Sequence, residues 1–186
     1  MKVYVIRHGQ SETNAKGMWT GWIDVNLTEK GKDDAKRAGE FLKNISFAKV
    51  SSSDLTRAVD TAKIALPGAN PEKSKLLREI NVGNIANKPL DILTDEQREK
   101  AFKEGYAERD GETQQEFLDR VCEFKNHLET LDAENVAVFC HAGWLRAMLD
   151  SVIGVRLPRK NICCNNCAIG IFEYNEQWKL HSWINL

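Results

Sequence analysis

Val136-Ala137-Val138-Phe139-Cys140 is an unbroken apolar run that stops at His141. A strand with water on one side alternates apolar and polar residues, so a continuous run belongs to a strand covered on both faces. Helices must therefore lie above and below the sheet that contains it. The rest of the chain is long enough to supply them, because 186 residues suit a single core.

The β-branched run Lys2 to Ile6 predicts a first strand that ends at Arg7-His8-Gly9. After a loop to Leu27, Thr28 caps a helix that carries Ala35, Ala38, Phe41 and Leu42 on one face and ends near Asn44. Phe47 to Val50 reads as a second strand, and Ser51 to Asp54 as capping residues for a helix bearing Ala58, Val59, Ala62, Ile64 and Ala65, closed by Pro67-Gly68. A third strand is expected at Lys75 to Leu77, and residues 79–93 have turn composition. Helices follow from Thr94 to Tyr106 and from Thr113, where Glu116 completes a capping box ahead of Phe117, Val121 and Leu128. Beyond the apolar run, Gly143 to Ile153 is helical in pattern, and Ala168 to Tyr174 and Trp178 to Trp183 are strands joined through Asn175-Glu176-Gln177. This order predicts a single domain over residues 1–186: a three-layer α/β/α sandwich around a mostly parallel central sheet with an antiparallel edge strand.

Ligands of such sheets sit beyond the carboxyl ends of the strands. Arg7 and His8 follow the first strand, Arg57 lies in the first turn after the second, Glu79 follows the third and His141 the fourth. Two guanidinium groups, two imidazoles and a carboxylate arriving at one sheet edge suit a phosphate monoester, since guanidinium forks match phosphate oxygens. The helix beginning near Asp54 would add its N-terminal dipole. A neutral His8 nitrogen is placed to attack phosphorus while a backbone carbonyl holds the other nitrogen. Glu79 would protonate the leaving alkoxide and later activate water, and His141 would bind the phosphoryl oxygens as a cation or a donor.

The segments that carry these residues resemble the histidine phosphatase (phosphoglycerate mutase-like) superfamily. The resemblance rests on Arg7-His8-Gly9-Gln10-Ser11-Glu12-Thr13-Asn14, Thr20-Gly21-Trp22 and Asp24 through Gly31, then on Ser51 through Ala62, Leu77-Arg78-Glu79-Ile80 and Cys140-His141-Ala142-Gly143. It implies that His8 is phosphorylated, that Arg7, Arg57 and His141 bind the phosphoryl group, and that Glu79 donates the proton. It also implies contacts to phosphate or substrate from Asn14, Thr20, Gly21 and Ala142. The stretch Gly83-Asn84-Ile85-Ala86-Asn87 departs from the Gly-x-x-Glu-Gly run common in the family, and the insertion and Glu-Arg-His-Tyr run of cofactor-dependent phosphoglycerate mutases are not visible. The expectation is therefore a phosphomonoester hydrolase acting on a small phosphorylated metabolite. A mutase that returns the phosphoryl group to its substrate is the alternative, and a non-catalytic phosphate-binding domain a second one.

The net charge of -1, from 26 basic and 27 acidic residues spread along the chain, offers no broad field for nucleic acid or an acidic membrane. The absence of an export signal and of a long apolar stretch predicts a cytoplasmic protein. Cys163, Cys164 and Cys167 cluster without zinc-like spacing, so they are expected to be free thiols with no metal bound, and the arginines make a metal or organic cofactor unnecessary. His127 and His181 are expected to be structural or exposed, and Arg78, Lys88 and Arg109 to be solvated charges. Met18, Trp19 and Trp22 either pack beneath their loop or line the substrate mouth. The final hairpin offers an edge through which a homodimer could form.

Overall fold

The computed structural model describes residues 1–186. Strand β1 (Lys2–Arg7) lies inside a six-stranded sheet of order β3-β2-β4-β1-β5-β6, with β2 at Lys49–Ser53, β3 at Glu72–Ser74, β4 at Asn135–Cys140, β5 at Ile169–Asn175 and β6 at Gln177–Ile184. β1, β2, β3 and β4 pair in parallel, while β5 pairs antiparallel with both β1 and β6. The mostly parallel sheet thus has an antiparallel edge, as the sequence predicts, and that edge is a hairpin.

Each central strand divides its side chains between two cores. Val3, Val5, Val136, Val138 and Cys140 face a cluster with Phe117, Leu128, Trp144 and Met148 from helices α5 (Gln114–Glu129) and α6 (Ala142–Ile153). Tyr4, Ile6, Ala137 and Phe139 face the opposite cluster with Ala38 and Leu42 of α2 (Glu29–Leu42) and Ala62 and Ala65 of α3 (Thr56–Ala65). Burying each large apolar side chain stabilises the fold by about 1.5–3 kcal/mol, and burial on both faces is why residues 136–140 of β4 read as one apolar run. No helix is long and apolar enough to cross a membrane.

Several boundaries differ from expectation, each for a local reason. The third strand is Glu72–Ser74, an edge strand paired with β2, while Lys75–Leu77 is a 3-10 turn started by the Ser74 side chain, which accepts from the Leu76 amide at 3.2 Å. Two adjacent leucines cannot share one face of a strand, and the turn lets Leu77 reach the α5/α6 core. The second strand runs on through Ser51, Ser52 and Ser53, which are buried between β3 and β4 and do not cap α3. Helix α3 is capped from a distant loop: Asp24 accepts from the Thr56 amide at 2.7 Å and the Thr56 hydroxyl at 2.8 Å. Asp54 instead receives a two-pronged bond from Arg78, at 2.7 Å on each oxygen.

The loop after β1 contains a short helix, α1 (Glu12–Ala15), opened by a capping box between Ser11 and Asn14. Helix α4 (Asp95–Glu104) starts at the Thr94 capping box and stops two residues earlier than predicted because Gly105 takes φ 87. It packs with the turn-rich stretch before it around Val82, Ile85, Leu93, Ala101 and Tyr106.

Candidate active site

Parallel register brings the strand exits together. Arg7 pairs with Cys140, so His8 and His141 leave adjacent strands side by side, with ring centroids 5.1 Å apart. The backbone of His8 stays tied to the sheet: its amide donates to the Cys140 carbonyl at 3.0 Å, and its carbonyl accepts from the Cys167 amide at 3.3 Å and from Asn166 Nδ2 at 3.2 Å. The following chain passes so close to the first turn of α2 that a Cβ on Gly9 would strike the Gly31 carbonyl, and one on Gly31 the Gln10 carbonyl.

The His8 ring is 5% exposed, and its hydrogen bonds fix its tautomer. Nδ1 lies 2.7 Å from the Gly9 carbonyl, which can only accept, so Nδ1 carries the proton. Nε2 therefore holds the lone pair, and it accepts from Arg57 Nε at 3.3 Å. Arg57 is 1% exposed and is aimed by its other donors, Nη1 to the Ile23 carbonyl and Nη2 to the Gly21 carbonyl, both at 2.8 Å. Thr61 ties Arg57 to the residue after His8, donating to the Arg57 carbonyl at 2.7 Å and accepting from the Gly9 amide at 3.0 Å.

Arg7 donates from Nη1 to the Cys164 carbonyl at 2.5 Å, and its buried Nε has no partner. Both ring nitrogens of His141 are likewise buried and unpartnered beside His8. Glu79 reaches over from the segment after β3. Its Oε2 accepts from the Gly143 amide at 2.9 Å and its Oε1 from its neighbour Ile80 at 3.0 Å, and the space above Gly143 is filled by the Glu79 carboxylate itself.

Burial, reinforced by Arg57 and Arg7, holds the His8 ring well below the usual imidazole range against the opposing Gly9 bond. Burial first, then Arg57, His8 and Arg7, does the same to His141, so of the two roles foreseen for this ring the neutral donor fits the fold. Burial lowers Arg57 to about 10, which leaves it charged at neutral pH. Burial, helped by the charge of Glu79, raises Tyr106 to about 12.

Two imidazoles kept neutral in the fold titrate near 6.5 once the chain unfolds. Below that pH the unfolded chain binds protons that the fold excludes, so this contribution to stability is intact above about 6.5 and declines as the pH falls toward the depressed folded values. The slope for the pair approaches about 2.7 kcal/mol per pH unit. Denaturant titrations at about pH 7.5 and 5.5 should show that loss, and His141→Asn should halve the slope. Equal stability at both pH values would mean that the folded rings take up protons freely.

A cavity of about 1000 Å³ opens over this cluster and is lined by Arg7, His8, Asn14, Thr20, Gly21, Arg57, Glu79 and Ala142. His141 is not on its wall; its ring meets that of His8 edge to face. Asn14 Oδ1 accepts from Asn166 Nδ2 at 3.2 Å, and the Thr20 hydroxyl pairs with that of Thr13 at 2.6 Å. The outer wall brings in Met18, Trp19, Phe102 and Tyr106 and the cations Arg98, Arg146, Arg159 and Lys160. Among the aromatic residues whose place the sequence left open, Met18 and Trp19 line the cavity, whereas Trp22 lies outside it under Arg78, 4.8 Å from ring centroid to guanidinium carbon.

Arg78 is a further correction: it is bound to Asp54 and is not a solvated charge. His127 and His181 are exposed and remote from the cavity, as expected. Cys163 is exposed while Cys164 and Cys167 are buried, and all five cysteines are free. No group of three or more His, Cys, Asp or Glu side chains is arranged to hold a metal ion. Sequence reasoning missed Asn166, Arg146 and the Glu112/Arg120 pair. Glu112 and Arg120 had one legible signal, a carboxylate and a guanidinium eight residues apart across the start of α5.

The histidine phosphatase superfamily (branch 1) family model matches residues 3–186. A Salmonella choleraesuis protein named "Probable phosphoglycerate mutase GpmB" is 28% identical over 194 aligned positions, covering 99% of this chain and 90% of the relative. Among solved structures, TTHB049 from Thermus thermophilus superposes with a TM-score of 0.81 at 27% identity over the full length of both chains. An Escherichia coli K-12 protein described as "a putative alpha-ribazole-5'-P phosphatase" gives 0.84 at 25% identity, covering 100% of this chain and 97% of the other. With its motifs, sheet order and site residues in one frame, the chain belongs to the histidine phosphatase superfamily, branch 1.

Proposed function

We propose that this protein is a cytoplasmic, metal-independent phosphatase that hydrolyses a small phosphate monoester through a phosphohistidine on His8. The observation that carries this reading is the fixed tautomer of His8: Nδ1–H is committed to Gly9, and Nε2 presents its lone pair beside Arg57 in a cavity that Arg7 also lines. Binding an anion alone would need no such tautomer, and this speaks against a purely phosphate-binding role. Nε2 attacks phosphorus while the O–P bond to the alcohol breaks, and Glu79, having taken up the proton that a substrate monoanion brings, gives it to the departing oxygen. Glu79, now a carboxylate, takes a proton from water, whose oxygen attacks phosphorus. The N–P bond then breaks, its electron pair returns to Nε2, and inorganic phosphate leaves.

Arg7 and Arg57 meet the phosphoryl oxygens with charge-assisted bonds, the Arg7 Nε being free to do so, and supply the positive charge that a metal would otherwise provide. Asn14, Thr20, Gly21 and Ala142 sit on the same wall and complete the phosphate's surroundings. The cavity is far larger than a phosphoryl group and leaves room for water beside it, which favours hydrolysis.

A mutase reading has its own support in the name of the Salmonella relative, just as the phosphatase reading has in that of the E. coli protein. Incubation with 2- and 3-phosphoglycerate, alongside a panel of phosphorylated metabolites, separates the two by following free phosphate and isomer together. Phosphate release with little isomer is expected. Rapid isomerisation without phosphate release would overturn the assignment in favour of the mutase.

A further inference from the structure

Glu79 follows β3 and a 3-10 turn, so no strand ladder holds its backbone. A different device does. The Arg120 guanidinium on α5 donates from Nη1 to the carbonyls of Leu76 at 2.9 Å and Arg78 at 3.0 Å, and from Nη2 to the carbonyl of Glu79 at 3.2 Å. Its remaining donors grip Glu112, Nε to Oε1 at 2.8 Å and Nη2 to Oε2 at 2.9 Å. All five guanidinium N–H groups are thereby used, in a planar fork that lysine does not reproduce.

Glu112 extends the grip past the acid, since its Oε2 accepts from the Asn81 amide at 2.7 Å. The Glu79 carbonyl takes a second bond from Trp22 Nε1 at 2.7 Å, with Arg78 stacked on that indole. The backbone is thus fixed at residues 76, 78, 79 and 81, on both sides of the proposed acid. Side-chain exposures of 15% for Arg120 and 12% for Glu112 shelter the pair from solvent screening. Neither residue lines the cavity.

We propose that Arg120, locked by Glu112, is a positioning residue that aims the Glu79 carboxyl at the departing oxygen of the substrate. The inference rests on Glu79 acting as the acid. Displacing a catalytic group by about 1 Å can cost about a hundredfold, and only substrates whose leaving oxygen must be protonated should register the loss.

The experiment compares kcat/KM, which reports the steps through leaving-group departure, for ethyl phosphate and for 4-nitrophenyl phosphate. Arg120→Met is expected to lower kcat/KM for ethyl phosphate about thirty- to a hundredfold and to change that for 4-nitrophenyl phosphate less than about threefold. Glu112→Gln, which keeps the shape and removes the charge, should show the same selectivity more weakly and serves if Arg120→Met does not fold. Glu79→Gln is the reference. If Glu79→Gln fails to separate the two leaving groups, the acid assignment falls, and this proposal with it. If Glu79→Gln separates them but the Arg120 and Glu112 variants slow both substrates equally, or neither, the positioning role alone is overturned.

Discussion

Replacing His8 with alanine is expected to lower kcat/KM for an aryl phosphate by a factor on the order of 10⁴ or more while the protein still folds. The size follows from removing the atom that bonds phosphorus, since no second imidazole and no thiol lines the cavity. Folding survives because the bonds that tie this residue to β4 and to the Asn166–Cys167 turn come from its backbone or end on it, and alanine keeps them. Acid-labile phosphate trapped on the wild-type protein during turnover should be missing from the variant. An alanine variant that turns over within tenfold of wild type would remove His8 from the mechanism.

Arg57→Lys should have the next largest effect, a loss of about 10² to 10³ in kcat/KM with inhibition by orthovanadate weakened in parallel. Arg57 is held by the carbonyls of Gly21 and Ile23, and its Nε reaches the nucleophilic nitrogen. An ammonium group cannot satisfy both carbonyls and face the phosphoryl oxygens in one geometry, so the lost bonds are those made where charge develops. Both effects should appear without a matching drop in thermal stability larger than a few kcal/mol, because two carbonyls at most lose partners. Activity within about fivefold of wild type would show that the guanidinium is not a phosphoryl ligand.

The central part of this architecture was readable because burial on both faces and the strand-end rule act through neighbouring residues. Val136 to Cys140 announced a central strand, and the residues that follow each run, His8 and His141 above all, met where parallel register must bring them. Reading failed where a side chain had two local uses. Ser51 to Ser53 look like caps in sequence, but neighbouring strands on both sides draw them into the sheet, and the capping falls to Asp24 from a loop about thirty residues earlier. Arg78 looked like any surface charge because its partner, Asp54, precedes it by 24 residues. The grip of Arg120 on the Glu79 segment was invisible for a related reason: it depends on how α5 lies against a turn more than forty residues upstream, which no periodicity encodes.

The sheet order has a consequence for how the molecule is made. Both hydrogen-bonded neighbours of β1 lie far downstream, beginning at residues 135 and 169. At 5–20 residues per second a ribosome delivers the first of them on the order of ten seconds after Val3 to Ile6 have emerged. Throughout that interval an apolar ribbon has two unmatched edges, a natural client for a holding chaperone. The nascent chain is also chemically silent, because the anchors of its nucleophile, Cys140, Asn166 and Cys167, have yet to be translated.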